Sequence, residues 1–177
     1  MSSLFEINNL YFGIGGYQYM SLNGTGLTVI RDATFHGVTV GRGAGSVASN
    51  TALGFNALSA NVSGVSNTAI GYEALKITTT TGLATAIGYQ AGLNNTGGNF
   101  TAIGYQAGMD NTGANTTAIG LYALKLNGSG ESNTAVGSSA LQTNTTGGFN
   151  VAVGVLALSA SNASYNTAIG YQSQYIT

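Results

Sequence analysis

The chain has no cysteine, proline or tryptophan, and one histidine, His36, in 177 residues. The lack of cysteine excludes a disulfide framework, thiolate metal sites and a cysteine nucleophile. The lack of proline excludes collagen-like sequence and proline-rich linkers. Charge is scarce: 5% of residues are Asp, Glu, Lys or Arg, against about 25% in an ordinary soluble domain. A formal net charge of −1 gives no footprint for nucleic acid or an anionic membrane surface. No uninterrupted apolar run approaches the length of a helical membrane span, so no membrane insertion is expected. The opening MSSLFEINNLYFG has neither a basic start nor an apolar stretch. It does not read as a secretory signal, and synthesis in a cytoplasm without export by the general secretory route is expected.

What is abundant is small and polar. Gly, Ser, Thr and Asn together make up 84 of the 177 residues. Disordered chains of that kind usually carry high net charge and low hydrophobicity, whereas this one is 44% apolar. It must fold or assemble to stay in solution.

A repeat organises the chain. The words TALG, TAIG, TAVG and VAVG end at Gly54, Gly71, Gly88, Gly104, Gly120, Gly137, Gly154 and Gly170, at spacings of 16 or 17 residues. VTVG, ending at Gly41, reads as a degenerate first copy. An Ala-Leu or Ala-Gly pair follows most words, as at Ala74-Leu75 and Ala91-Gly92, and then a polar, turn-prone stretch. Helical repeats need about 33 to 47 residues, and a Gly with several Thr and Asn per period opposes helix. The expected fold is all-β, a solenoid of about nine coils spanning roughly 40 Å at one strand spacing per coil. Alternation along T-A-I-G sets Thr and Ile on one face and Ala on the other. The larger column (Leu53, Ile70, Ile87, Ile103, Ile119, Val136, Val153, Ile169) is expected inside. The Ala column is expected outside, at a seam between chains.

Residues 1–37 do not repeat and are rich in aromatics. They are expected to form a small β segment that attaches the rod to a larger particle or caps its first coil, with residues 38–177 forming the roll. Asn23-Gly24 signals a hairpin there. Conventional chemistry finds little support. His36 has only Asp32 nearby in sequence, and Gly41 to Gly45 (GRGAG) lacks the lysine and following helix of a phosphate loop. Glu73 and Lys76 are spaced to pair, and Asp110 and Glu131 stand alone in turns. No paired carboxylates suggest glycoside hydrolysis. The expectation is no catalytic residue, no cofactor, no metal and no enzyme activity.

The words NTAIGYEAL (Asn67 to Leu75), NTAVGSSAL (Asn133 to Leu141) and NTAIGYQS (Asn166 to Ser173) resemble the head repeat of YadA-like trimeric adhesins. Similar repeats occur in bacteriophage tail-fibre and other virion proteins. The resemblance covers about residues 38–173 and implies a left-handed parallel β-roll packed as a homotrimer. The coil here is somewhat longer than the family's common one. A signal peptide, coiled-coil stalk and membrane anchor, the features of a bacterial surface adhesin, are not seen. The functional expectation is therefore a phage virion protein, a tail fibre or capsid-surface fibre for host attachment, joined to other virion proteins through residues 1–37. The alternatives are a capsid decoration protein without host binding and the head of a bacterial adhesin at the cell surface. For host binding, a surface polysaccharide is the expected partner. Its candidate contacts are the turn residues Asn94, Asn95, Asn111 and Asn115 and the aromatic column Tyr72, Tyr89 and Tyr105, which either offers a stacking platform for sugars or packs structurally.

Overall fold

Branching at Cβ makes Thr, Ile and Val suited to a pleated ladder, and the repeat words form one. The structure is a computed structural model that describes residues 10–14, 17–23, 26–29, 33–35 and 38–174, with side chains described for 38 and 40–174. Three strands near the start, β1 (Leu10–Ile14), β2 (Tyr17–Asn23) and β3 (Gly26–Val29), form an antiparallel sheet. Asn23 pairs with Gly26 across the β2–β3 hairpin, as Asn23-Gly24 predicts. His36 and Asp32 lie outside the described residues.

Next come β4 (Ala33–Phe35), β5 (Val38–Gly41), β6 (Thr51–Leu53), β7 (Thr68–Ile70), β8 (Ala84–Ile87) and β9 (Phe100–Ile103). They are followed by β10 (Asp110–Asn111), β11 (Thr116–Ile119), β12 (Leu126–Asn127), β13 (Thr134–Val136), β14 (Thr143–Asn144), β15 (Val151–Val153) and β16 (Thr167–Ile169). The eight strands that carry the words from Thr51 onward pair in parallel and in register, Thr on Thr and Ala on Ala. They bound about seven turns of a β-solenoid. A second wall is the short parallel sheet β10-β12-β14.

VTVG is not a ninth coil. Its strand β5 runs antiparallel to β6, with Val40 opposite Leu53, and β4 folds back antiparallel onto β5. This hairpin lies along the edge of the first coil, where an open strand would otherwise leave its backbone groups unpaired.

The two faces of the words are the reverse of the sequence expectation. Ala52, Ala69, Ala86, Ala102, Ala118, Ala135, Ala152 and Ala168 are buried inside the roll, and the Leu53 to Ile169 column faces outward. The reason is the narrowness of the interior. From the turn that follows each word come a second buried alanine column, Ala57 to Ala157, and the buried Leu58, Leu75, Leu124, Leu141 and Leu158. With a leucine entering from there in five coils, the word strand has room for only a methyl group. Each such leucine contributes about 1.5–3 kcal/mol on burial. These leucines adopt φ between +46° and +50°, which costs roughly 1–3 kcal/mol apiece.

Gly92 and Gly108 take the leucine position in two successive coils, with φ of +58° and +52°. Phe100, buried at 1% exposure, fills the space they leave. A Cβ built on Gly92 would lie 2.7 Å from Phe100 Cε1, and one on Gly108 would lie 2.3 Å from Phe100 Cζ. One ring from the sheet wall thus replaces two side chains of the turn.

The word glycines stack as closely as the alanines. At Gly88 φ is +137°, and an added Cβ would lie 2.4 Å from the Gly104 carbonyl oxygen. We expect Gly88→Ala and Ala86→Leu each to lower stability by about 2–3 kcal/mol, read from urea unfolding. Phe100→Ala should cost about 3–5 kcal/mol. Gly92→Leu and Gly108→Leu should destabilise the native chain but recover stability in the Phe100→Ala background.

Candidate functional site

Coils stacked one strand spacing apart place each side chain on its counterpart in the next coil. Two buried asparagine columns result. In the first, Asn111 Nδ2 donates to Asn95 Oδ1 (2.7 Å), Asn127 Nδ2 to Asn111 Oδ1 (2.6 Å) and Asn144 Nδ2 to Asn127 Oδ1 (2.8 Å). Each of the four also donates to a carbonyl of its own turn: Gly97, Gly113, Gly130 or Gly147, all within 2.7–2.8 Å. Stacked amides of this kind make continuous hydrogen-bonded ladders.

The second column lies just before the words. Asn50 Oδ1 accepts from Asn67 N (2.8 Å), Asn67 Oδ1 from Ala84 N (3.0 Å) and Asn133 Oδ1 from Asn150 N (2.9 Å). The column breaks at Ala84, Phe100 and Thr116, where Phe100 occupies the interior. Asn133 Nδ2 links the two columns by donating to Asn127 Oδ1 at 3.3 Å.

The first column has one flaw. Thr78 takes the asparagine position of its coil and donates to the Asn95 carbonyl (3.0 Å) rather than to Asn61. Asn61 Oδ1 is accordingly buried with no hydrogen-bond partner.

These positions correct part of the sequence reading. Asn95 and Asn111, expected at a recognition surface, are wholly buried with their amides engaged in the ladder. They cannot reach a ligand without dismantling the roll. Asn94 and Asn115 remain at the surface: Asn94 Nδ2 donates to Asp110 Oδ1, and Asn115 Oδ1 accepts from Asn99 Nδ2 (2.9 Å). Asn94 and Asp110 border an open groove of about 460 Å³, completed by Thr112, Leu126, Gly128 and Thr145. Sequence reasoning missed this groove, because it forms only when residues of neighbouring coils align.

The aromatic column is real and continuous. Phe55, Tyr72, Tyr89 and Tyr105 stack with ring centroids 5.0–5.4 Å apart and planes within 15°. Tyr122 meets Tyr105 edge-on at 5.5 Å, and Lys125 Nζ lies 4.9 Å from the Tyr122 ring centre. Each ring in the middle of the stack has both faces covered by neighbours, which leaves no gap for a sugar ring. Tyr72, Tyr89 and Tyr105, between 41% and 43% exposed, therefore offer edges and hydroxyls and not a stacking platform. Burial, with Tyr122 and Tyr89 close by, raises the Tyr105 phenol above its ordinary value.

Beside the rings runs a polar row. Lys76 Nζ pairs with Glu73 Oε1 at 2.6 Å, Gln90 Nε2 donates to Glu73 Oε2 (2.9 Å), and Gln106 Nε2 to Gln90 Oε1 (2.7 Å). The pairing of Glu73 with Lys76 is as the spacing suggests. The Lys76 ammonium, with Gln90 second, holds the Glu73 carboxyl below its ordinary value. A depressed carboxyl stabilises the fold above its unfolded pKa, and that contribution fades as pH falls through the lowered value.

The flaw in the first column generates a test. Thr78→Asn supplies a donor for Asn61 Oδ1, and should raise stability by about 1 kcal/mol, seen as a higher melting temperature. Protein-family models, curated proteins and solved structures were each compared with the chain, and none matches it.

Proposed function

We propose that the chain is a structural rod that works as a homotrimer, built as a fibre or spike on the surface of a bacteriophage virion. The observation that carries this reading is the outward column Leu53, Ile70, Ile87, Ile103, Ile119, Val136, Val153 and Ile169. It is a continuous stripe of β-branched and aliphatic side chains, with Ile87 and Ile103 more than a third exposed in the single chain. Stripes of this extent on a soluble protein usually mark an interface. A flat, in-register ladder suits packing against identical ladders, and the threonines beside it bring hydroxyls that can pair across a symmetry axis. The seam thus falls on the isoleucine face, in place of the alanine face that the sequence suggested. A left-handed roll and a threefold axis are what the family resemblance adds.

Residues 1–37 are the proposed joint to other virion proteins, and their last strand, β4, pairs with β5 at the edge of the first coil. A rod that stabilises the particle without binding a host is the second reading. It is favoured by the burial of Asn95 and Asn111 and by the closed faces of the tyrosine stack, which leave little free recognition surface. For host attachment, the groove beside Asn94 and Asp110 is the place for a neutral polysaccharide.

The test is assembly. In sedimentation experiments the native chain should run as a trimer, and Ile87→Asp with Ile103→Asp should give a folded monomer with an unchanged β-type spectrum. A trimer that survives the double substitution would move the seam elsewhere. Adsorption of particles to host cells with and without Asn94→Ala separates the two readings.

A further inference from the structure

Two asparagines of the chain are followed directly by a glycine, Asn23 and Asn127, and Asn127-Gly128 is the pair that lies within the solenoid. The other members of its ladder precede threonine: Asn95-Thr96, Asn111-Thr112 and Asn144-Thr145. The distinction is chemical. In an unconstrained chain, the backbone nitrogen after an asparagine can attack the side-chain amide, and a residue without Cβ offers least hindrance to that ring closure.

Both residues are fixed by the fold. An added Cβ on Gly128 would lie 2.3 Å from the Thr145 carbonyl oxygen, so the close approach of adjacent coils demands glycine. Asn127 is wholly buried and uses its full hydrogen-bonding capacity. Its Nδ2 donates to Asn111 Oδ1 and Gly130 O, and its Oδ1 accepts from Asn144 Nδ2 and Asn133 Nδ2. The Gly128 N–H, the would-be nucleophile, is donated to the Asn144 carbonyl at 3.2 Å. The folded coil thus ties down both reacting groups.

We propose that Asn127-Gly128 is a latent self-modification site, held off by the amide ladder and released when the coil opens. In the opened chain the Gly128 nitrogen gives up its proton to solvent base and attacks Asn127 Cγ. A new C–N bond forms, the bond from Cγ to Nδ2 breaks, and ammonia leaves with a proton from water. Water then opens the five-membered imide at one of its two carbonyls, giving aspartate or its β-linked isomer.

Neither product fits the coil. A carboxylate oxygen in place of Nδ2 would face two acceptors, Asn111 Oδ1 and Gly130 O, in a buried site. The β-linked isomer adds a backbone atom inside β12 and shifts its register against β10 and β14. Opening becomes irreversible at this point, and the rod carries a record of having unfolded.

The experiment holds native protein and urea-unfolded protein at mildly alkaline pH and follows the peptide containing Asn127 by mass spectrometry. Conversion of amide to acid should be at least roughly 100-fold slower in the native protein, in step with the small open population. Equal rates in the two samples would overturn the gating. Unfolded protein aged until conversion is complete should fail to refold when urea is removed, whereas briefly unfolded protein refolds. Asn127→Ser removes the chemistry and keeps a small polar rung, as Ser161 does in its own coil, so the aged variant should refold. If it too loses refolding on ageing, another lesion is responsible. Asn127→Asp reproduces one product, and a native melting temperature for that variant would overturn the irreversibility.

Discussion

Everything in the roll depends on adjacent coils lying one β-strand spacing apart and in register. At that distance a side chain meets chiefly its own counterpart above and below. Residues that can bond to or stack on a copy of themselves are favoured there. Asparagine is both donor and acceptor, so it forms ladders. Tyrosine stacks on tyrosine, and isoleucine aligns with isoleucine on the outer face. Charged groups repel their copies, which accounts for a chain with so few of them. The ion pair of Glu73 with Lys76 lies within a single coil, and the next rung above Glu73 is the neutral Gln90.

The same spacing explains how coils of two lengths coexist. The longer coils have three steps from the ladder asparagine to the glycine whose carbonyl it caps, as from Asn127 to Gly130 and from Asn144 to Gly147. The shorter ones have two, as from Asn95 to Gly97 and from Asn111 to Gly113. The capping bond has nearly the same length in each. The length change is absorbed between two anchored groups, and the word strands keep their register.

The solenoid was legible in the sequence because the words repeat at a nearly constant interval and match a pleat's alternation of two. Alternation separates the faces of a strand but does not say which face is inside. That depends on what comes from the opposite wall, and the leucines after the words occupy that space. Their left-handed backbone has no composition signal, since leucine rarely adopts it. Phe100 could be read as a plug only once it was known to lie opposite Gly92 and Gly108. The turn asparagines were assigned to solvent because polar residues usually go there. In this narrow roll they enter the interior, where backbone carbonyls need donors. VTVG matches the words in pattern, yet it pairs antiparallel because the chain reverses direction on entering the roll.

The first amide ladder has a direction. From Asn144 through Asn127 and Asn111 to Asn95, each Nδ2 points toward the start of the chain and each Oδ1 toward its end. The side-chain dipoles therefore add head to tail along the axis, as peptide dipoles do in a helix. The axis gains a fixed electrical polarity without any net charge, its negative pole toward the last coil. Thr78 interrupts that alignment one coil before Asn95, so the polarised segment is insulated from the capped end of the rod. Identical rods side by side and pointing the same way would sum their dipoles, and rods packed head to head would cancel them.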